Sequence, residues 1–287
     1  MITRMLFTHA LSPLHPGTGQ GVGVIDLPIA REKATGLPYL PGSSLKGTLR
    51  SACPDAQRVS VFGPDTKDGD LHAGAAHFAD QRLLLLPIRS LAGTFAWVTS
   101  PYVLRRFARD ARDAAMKDLP GDIDNPVREQ QCTVADGSKL RLSGDSVYLE
   151  DLDLTATSDL TTTAWANWLA PHIFANDPVW QAMLAERLCV VHDDVLGFLL
   201  TTATEITARI RLEEQTKTVA KGGLWYEESL PTETVLAGPL MIMPNGMTKM
   251  DAGQIITIIG TCTEKPIQLG GKATVGRGLC RISMGEA

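Results

Sequence analysis

A lone carboxylate within an apolar phrase is the first candidate for chemistry in this sequence. Asp26 stands in the phrase GVIDLPI of residues 23–29, directly after a segment in which every second residue from 17 to 23 is glycine. Glycines at this density permit positive φ angles and let main-chain N–H groups approach an anion. Asp26 is therefore either a turn or cap residue, or a catalytic group beside a nucleic-acid backbone. In the second case it helps to activate a 2′-hydroxyl, directly or by placing a metal ion.

Three further ionisable residues are candidates for the same site. His15 precedes Asp26 across the glycine turn, and an imidazole exchanges protons near neutral pH, although a single histidine can equally be structural. Glu227 and Glu228 follow the pair Trp225-Tyr226, and only the fold can bring either of them to Asp26. No Ser/His/Asp or Cys/His arrangement has a recognisable local context, so the sequence does not support acyl transfer.

Two glycine-containing, locally basic segments are candidates for binding phosphate. Residues 36–50, GLPYLPGSSLKGTLR, predict a helix over residues 43–52 in which Lys46 and Arg50 share one face. A serine is expected to cap this helix, and a helix N-terminus favours an anion. The second segment is GGKATVGRG, residues 270–278. Each segment alone is also consistent with an ordinary turn or a solvated pair of cations.

Neither glycine-rich segment fits a nucleotide-binding motif. In residues 17–23 the third glycine of G-x-G-x-x-G is replaced by Val22, and residues 271–278 end in Arg277-Gly278 where a P-loop has Lys and Ser/Thr. The sequence therefore favours a phosphate backbone over a mononucleotide or dinucleotide.

The distribution of charge supports the same interpretation. The net charge is −5 and the pI about 5.7, which by itself argues against nucleic-acid binding. However, residues 1–50 hold five Lys/Arg against two acidic residues, and residues 264–287 hold four against two. The basic surface is thus predicted where the glycine-rich segments lie, and the acidic remainder is predicted to face protein neighbours.

Composition points to a globular protein of the cytoplasm. The 287 residues are 44 % hydrophobic and 21 % charged, which suits one large domain with insertions. The five cysteines form no C-x-x-C pair, so reduced thiols are expected. No run of 18 apolar residues or signal peptide is visible, so no membrane association is expected.

Strand and helix patterns interleave without a βαβ repeat, which predicts an α+β fold of ferredoxin-like type with insertions. Helices are predicted over residues 43–52, 103–119 and 163–189, the last with breaks near Pro171 and Pro178. Residues 119–146 are predicted to be a long loop or insertion. Strands are predicted over residues 1–11, 22–29, 83–88, 94–99, 190–200 and 254–262.

Residues 204–212 alternate strictly between polar and apolar side chains and predict one strand of a projecting hairpin. A turn is expected at Lys221-Gly222-Gly223, after which Leu224-Trp225-Tyr226 returns as the second strand. An apolar, aromatic hairpin tip can wedge between stacked bases. An edge hairpin packed on its own core explains the pattern equally well.

Five phrases carry a resemblance to a known family. They are GVGVIDLPI (21–29), GLPYLPGSSLKGTLR (36–50), FAWVTSPYVL (95–104), LWYEESLP (224–231) and GGKATVGRGLCRI (270–282). With them the chain resembles the backbone subunits of type III-B CRISPR RNA-guided ribonuclease complexes, within the RAMP superfamily. The first phrase is specific in combination, the last marks only the wider superfamily, and residues 119–187 match weakly.

The resemblance implies a modified ferredoxin-like (RNA-recognition-motif) palm with a projecting β-hairpin thumb and helical insertions. The whole of residues 1–287 would be one decorated domain. Its palm would comprise residues 1–118, 188–203 and 228–287, its insertion residues 119–187, and its thumb residues 204–227.

The resemblance also implies an activity. Several copies polymerise along a guide RNA with other subunits of the complex, and each cleaves complementary target RNA beside a base pair that the thumb displaces. A divalent metal ion, Mg²⁺ or Mn²⁺, is required. Asp26 matches the cleavage carboxylate and possible metal ligand, His15 and Glu227 match positions lining the same site, and Lys46 matches a guide-RNA contact.

RNA contacts are expected from a set of glycines, hydroxyls, cations and aromatic residues: Gly42, Ser43, Ser44, Lys46, Arg50, Arg209, Arg211, Trp225, Tyr226, Gly270, Gly271, Lys272 and Arg277. No aromatic signature of RNA-recognition motifs is visible, so backbone contacts should dominate and affinity should fall with salt. A non-catalytic guide-RNA scaffold of a related complex is the alternative; Asp26 in its phrase favours the enzyme. A standalone guide-processing nuclease is disfavoured because no His-centred site is apparent.

Overall fold

The computed structural model describes residues 1–19, 21, 23–64, 72–123, 128–142, 144–244 and 250–285. Over these residues the chain has a mixed fold with one large, mostly antiparallel sheet, a separate hairpin and seven helices. The predicted α+β class is confirmed. Gln20 and Val22 of the predicted glycine turn and strand lie outside the described residues.

The strands in chain order are β1 (Ile2–Ala10), β2 (Tyr39–Leu40), β3 (Ala76–Phe78), β4 (Gln81–Arg89), β5 (Phe95–Thr99), β6 (Gln131–Val134), β7 (Ser146–Leu149), β8 (Leu152–Ser158), β9 (Leu188–Val191), β10 (Glu205–Leu212), β11 (Val219–Ser229), β12 (Val235–Ile242), β13 (Ile267–Gln268) and β14 (Leu279–Met284). The main sheet runs β13-β14-β1-β12-β4-β5-β9-β6-β8-β7, with β2 and β3 paired at its side. β1 therefore lies between strands from the far end of the chain.

The helices are α1 (Gly42–Ala52), α2 (Asp55–Phe62), α3 (Pro101–Asp113), α4 (Leu160–Ile173), α5 (Pro178–Arg187), α6 (Asp193–Thr202) and α7 (Ala252–Thr263). They pack on the sheet through apolar stripes and share one core with it; Trp97 and Trp165 are among its largest fully buried side chains. Among the described residues no helix is long and apolar enough to cross a membrane.

Two segments that were expected to be strands are largely helical. Residues 254–262 lie in α7, because Ile255, Ile259 and Cys262 are buried at helical spacing and Asp251 and Gln254 form a capping box at its start. In residues 190–200 the strand ends at Val191 and α6 follows. Both strand predictions are wrong because β-branched and apolar residues favour strands by composition, whereas the spacing of the buried residues decides the helices.

Other local predictions also need correction. Residues 23–29 form only isolated bridges, between Gly17 and Ile29 and between Leu27 and Glu227, and no strand. Residues 119–146 are not only a loop, because β6 within them joins the main sheet. The helix predicted over residues 163–189 is interrupted as expected, since α4 ends at Ile173, two residues after Pro171, and α5 begins at Pro178.

The hairpin predicted from alternation is present, but its turn and its faces differ from expectation. β10 and β11 pair in antiparallel register, and residues 213–218 connect them, so Lys221-Gly222-Gly223 lies within β11. The connecting residues are polar and exposed, so the expected apolar tip is wrong. One face of the hairpin instead exposes apolar side chains along its length, with Ile206, Ile210 and Leu224 each 52–54 % exposed.

A glycine in the central sheet gives a test of this packing. In Gly238→Ala the new Cβ would lie 2.4 Å from the Asp80 carbonyl oxygen, so we expect a loss of about 2 kcal/mol in unfolding free energy. Urea denaturation measures this loss. The matched change Gly260→Ala in α7 meets no atom within 4 Å and should be neutral or slightly stabilising. Equal stability of the two variants would contradict the packing described.

Candidate functional site

The site is built around two consecutive buried carboxylates on β11. Glu227 and Glu228 are 5 % and 3 % exposed, and successive residues of a strand point to opposite faces. Glu227 shares a face with Thr207, its partner on β10, whereas Glu228 shares the other face with Ile206. Each carboxylate thus meets a different part of the chain at the base of the hairpin.

Glu227 is surrounded by cations and a donor from the indole ring. Its Oε1 accepts hydrogen bonds from Lys272 Nζ at 2.7 Å and from Trp225 Nε1 at 2.7 Å, and Arg209 Nε lies 3.3 Å from Oε2. Burial alone raises the pKa of the Glu227 carboxyl. The bonds from Lys272 and Trp225, with the charges of Lys272 and Arg209, outweigh burial and hold the pKa below its usual value.

The glycine-rich segment 270–278 is a loop shaped by left-handed residues. Gly270, Gly276 and Gly278 have φ between 69° and 78°, and Lys272 also lies in the left-handed region. A Cβ at Gly278 would fall 2.0 Å from the Leu269 carbonyl oxygen, so this position requires glycine. The geometry brings Lys272 to Glu227.

The same loop fixes the first strand of the hairpin. Arg277 is 15 % exposed in its side chain and donates to Glu205 Oε2 at 2.9 Å and to Thr207 Oγ1 at 3.2 Å. Gly271 N–H donates to the His15 carbonyl at 3.0 Å. The glycine-rich loop is therefore tied both to the hairpin and to the segment that carries His15.

Asp26 lies at the edge of β11. Its Oδ2 accepts a hydrogen bond from the Tyr226 N–H at 2.7 Å, while Leu27 N–H donates to the Tyr226 carbonyl at 3.1 Å. The Asp26 side chain is exposed, and Oδ1 receives no hydrogen bond from the residues the structure describes. An exposed, fixed carboxylate with one free oxygen suits contact with a substrate or a metal ion.

His15 lies beneath this surface. It is 6 % exposed, and its Nδ1 is 2.6 Å from the Glu228 carbonyl oxygen. Because a carbonyl only accepts, Nδ1 carries the proton of this bond. A Cβ at Gly17 would lie 2.6 Å from Nε2, so the glycine of the turn is needed for the ring to fit. The imidazole therefore contributes to the site by holding the main chain of β11 at Glu228, and its ring is buried.

The structure separates the predicted RNA contacts into two groups. The first group, Arg209, Trp225, Tyr226, Lys272 and Arg277, lies around the base of the hairpin, where its contacts are with Glu227, Asp26, Glu205 and Thr207. Arg211 is exposed further along β10, and Gly270 and Gly271 hold the glycine-rich loop.

The α1 residues face another part of the surface. Lys46 lines a groove with Phe62 and His77, and Arg50 donates to the Gly63 carbonyl. The predicted serine cap is wrong: Pro41 occupies the N-cap without a side-chain bond. Asp80 instead accepts from the Gly42 N–H at 2.8 Å, while Ser43 is exposed and Ser44 half-buried.

Two functional candidates were missed from the sequence. Arg31 donates to Glu228 Oε1 at 2.6 Å, and Thr204 Oγ1 donates to the same oxygen at 3.0 Å. Only the position of Arg31 shortly after the apolar phrase that contains Asp26 could have pointed to it.

The donor set around Asp26 fits a metal ion that is held mainly by substrate. Magnesium is commonly bound through one or two carboxylates together with substrate phosphates. Asp26 offers one free oxygen, whereas both oxygens of Glu227 face cations or the indole N–H. Across the described ranges the only group of three or more metal-ligating side chains close enough to share an ion is Glu129, His192 and Asp194, which does not include Asp26.

The fold and the site define an α+β protein in which a hairpin, a basic glycine-rich loop and an exposed aspartate converge on one surface. The chain belongs to the RAMP superfamily, whose family model matches residues 9–281. It is 34 % identical over 291 residues to the CRISPR system Cmr endoribonuclease Cmr4 of Pyrococcus furiosus, covering 97 % of this chain and 94 % of that protein. It is 23 % identical over 304 residues to the CRISPR system CMR subunit Cmr4 of Saccharolobus solfataricus, covering 96 % of this chain and 94 % of that protein.

Solved structures agree with this family. The crystal structure of oligomeric Cmr4 from Pyrococcus furiosus matches with a TM-score of 0.78 and 26 % identity, over 100 % of this chain and 99 % of that chain. A chain of the type III-B Cmr-beta complex bound to cognate target RNA matches with a TM-score of 0.75 and 22 % identity, over 99 % of this chain and 97 % of that chain.

The surroundings of Glu227 predict a pH-dependent contribution to stability. A carboxylate whose pKa is lowered by folding stabilises the protein above its unfolded pKa, and this contribution is lost as the pH falls through the folded pKa. Glu227→Gln should therefore be less stable than wild type by about 1–3 kcal/mol at pH 7. The gap should shrink as the pH falls below 4.5, the usual pKa of a glutamate side chain.

Urea denaturation of both proteins between pH 7 and pH 3 measures this gap. Glu213→Gln, at an exposed position in the hairpin turn, is the control and should show no comparable gap. A gap for Glu227→Gln that stays constant over the whole range would show that the carboxylate charge contributes nothing.

Proposed function

We propose that this chain is a guide-RNA-binding backbone subunit of a type III-B CRISPR effector complex. It would polymerise along the guide RNA and cleave complementary target RNA at regular intervals. The observation that carries the proposal is the position of Asp26, an exposed carboxylate that the Tyr226 N–H fixes at the base of the hairpin. The next residue of β11, Glu227, binds Lys272 and Arg209. Identity of 34 % over 97 % of the chain to a Cmr endoribonuclease supports it.

In the proposed mechanism Asp26 acts at the 2′-hydroxyl next to the scissile phosphate. The bond from the Tyr226 N–H orients its carboxylate and leaves Oδ1 to accept the hydroxyl proton or to hold a divalent metal ion. Such a metal ion, when bound, would neutralise charge on the phosphate. Lys272 has three N–H donors, of which Glu227 takes one, so the others can face a phosphate oxygen.

The hairpin is proposed to be the thumb, extending over residues 204–227 from a palm of ferredoxin-like type. Its polar face is fixed to the glycine-rich loop by Arg277 and Lys272. Its other face presents Ile206, Ile210 and Tyr226 to solvent, each at least 40 % exposed. Apolar and aromatic side chains in such a position can separate stacked bases. Base displacement would place the backbone of the neighbouring nucleotide beside Asp26.

Guide RNA is proposed to contact α1 and its groove. Lys46 is half-buried there and makes no ion pair with any residue in the described ranges, so its ammonium is available for phosphate. The likeness to an oligomeric Cmr4 crystal structure supports assembly of several copies. Residues 119–187 are proposed to be an insertion that supplies β6, β7 and β8 to the end of the sheet far from β1.

Cleavage by the assembled complex tests the catalytic proposal. The chain is assembled with guide RNA and its companion subunits, and labelled complementary RNA is added with Mg²⁺. We expect regularly spaced cuts that Asp26→Asn abolishes, with a loss of about a hundredfold or more and unchanged target affinity. Asp153→Asn, an exposed aspartate on β8, is the matched control and should cut normally.

Each other outcome has a definite meaning. Normal cutting by Asp26→Asn would place catalysis in another residue or subunit. An absence of cutting by every protein, with guide and target bound, would leave a guide-RNA scaffold.

Removal of divalent metal provides an independent test. EDTA should stop cutting while target binding remains, and Mg²⁺ or Mn²⁺ should restore cutting, because a single protein carboxylate leaves phosphate charge to be neutralised. Gel-shift and cleavage assays on the same samples measure both properties. Cutting at an undiminished rate in EDTA would show that the ion is not needed.

A further inference from the structure

Glu228 is a buried carboxylate that the proposed chemistry does not use. Its Oε1 accepts from Arg31 Nη2 at 2.6 Å and from Thr204 Oγ1 at 3.0 Å, and its Oε2 accepts from the Ile29 N–H at 3.1 Å. With only 3 % of the residue exposed, these bonds replace the water that the charge has lost.

The partners of Glu228 belong to separate parts of the fold. Ile29 and Arg31 continue the segment that carries Asp26, and Thr204 is the residue before β10. Arg31 also donates to the Leu200 carbonyl in α6 at 2.8 Å. Glu228 therefore joins the Asp26 segment to the residue before the hairpin, and Arg31 joins this pair to the last turn of α6.

The main chain of Glu228 adds two bonds to the same assembly. Its N–H donates to the Leu27 carbonyl at 3.0 Å, and its carbonyl accepts the bond from His15 Nδ1 at 2.6 Å. Asp26 itself is held by only one side-chain hydrogen bond, from the Tyr226 N–H, within the described chain. The position of its carboxylate consequently depends on how the following residues are fixed.

We propose that Glu228, paired with Arg31, is a positioning residue for target cleavage. It fixes residues 27–31 against the base of the hairpin and thereby fixes the Asp26 carboxylate beside the scissile phosphate. This inference rests on the proposed function. Glu228 does not touch substrate in this role, and a displacement of about 1 Å at a reacting group can cost about a hundredfold in rate.

Glu228→Gln removes the negative charge and one acceptor oxygen of the side chain, with almost no change in its shape. A glutamine side chain has one acceptor oxygen, and its NH₂ group only donates. Wherever that group lies, it must face either the Ile29 N–H or the Arg31 guanidinium, so at least one bond becomes a contact between two donors. Arg31→Met removes the ion pair from the other side, whereas Arg31→Lys keeps the charge.

The matched control is Asp159→Asn at the start of α4. Asp159 Oδ2 also accepts from one main-chain N–H and one threonine hydroxyl, both of Thr162. It makes no bond to the Asp26 segment. The change therefore reproduces the loss of a hydrogen-bonded carboxylate without touching residues 23–31.

The experiment uses the whole complex with guide RNA and measures three quantities on each variant. They are the affinity for labelled target RNA, the single-turnover cleavage rate at saturating target, and hydrogen exchange of peptides covering residues 23–31. We expect Glu228→Gln and Arg31→Met to lower the rate by about a hundredfold at unchanged target affinity. Exchange should rise in residues 23–31 and stay unchanged in β1 and β12. Arg31→Lys should recover part of the rate, and the control should match wild type.

Four results would overturn the inference. Wild-type rates in Glu228→Gln and Arg31→Met, with wild type cutting normally, would remove the positioning role and leave the proposed function intact. Faster exchange throughout the sheet would show general destabilisation, and weaker target binding at an unchanged rate would show a binding role. An absence of cutting by wild type would overturn the proposed function and this inference with it.

Discussion

The rest of the structure depends on the burial of two consecutive charges at the base of the hairpin. Burying a carboxylate is costly unless cations and hydrogen-bond donors surround it. Because Glu227 and Glu228 point to opposite faces of β11, the chain must supply donors on both sides. Lys272 comes from the glycine-rich loop on one side, and Arg31 comes from the Asp26 segment on the other. The two segments that the sequence places at opposite ends of the chain are thereby brought to the same strand.

Much of the fold could be predicted because local periodicity reports which faces are buried. Strict alternation located β10, and continuous apolar runs located β4 and β5. The strand predicted in place of α7 was wrong because Ile and Thr favour strands by composition, while burial at helical spacing and a capping box decide the helix. The predicted turn at Lys221-Gly222-Gly223 is wrong because polar residues 213–218 make the connection and the glycines lie within β11.

The candidate site could be predicted only in its parts. Asp26, His15 and Glu227 were named from the sequence, and the structure brings them to one place. The bond between Asp26 and the Tyr226 N–H joins residues 200 positions apart, which spacing along the chain cannot reveal. The sequence likewise predicted which cations lie near the site, but not the carboxylates with which they form ion pairs. Lys272, Arg209 and Arg277 are engaged by Glu227 and Glu205, so the field at this surface is less positive than a count of basic residues suggests.

The position of β1 has a consequence for synthesis on the ribosome. Residues 2–10 pair in the sheet with β12 and β14, which are translated more than 200 residues later. Until β12 and β14 are made, the apolar segment of β1 has no partner strand on either side. Such a segment can pair with other nascent chains. The central sheet is therefore expected to close only late in translation, and successful folding of this chain should depend on protection of its first strand in the meantime.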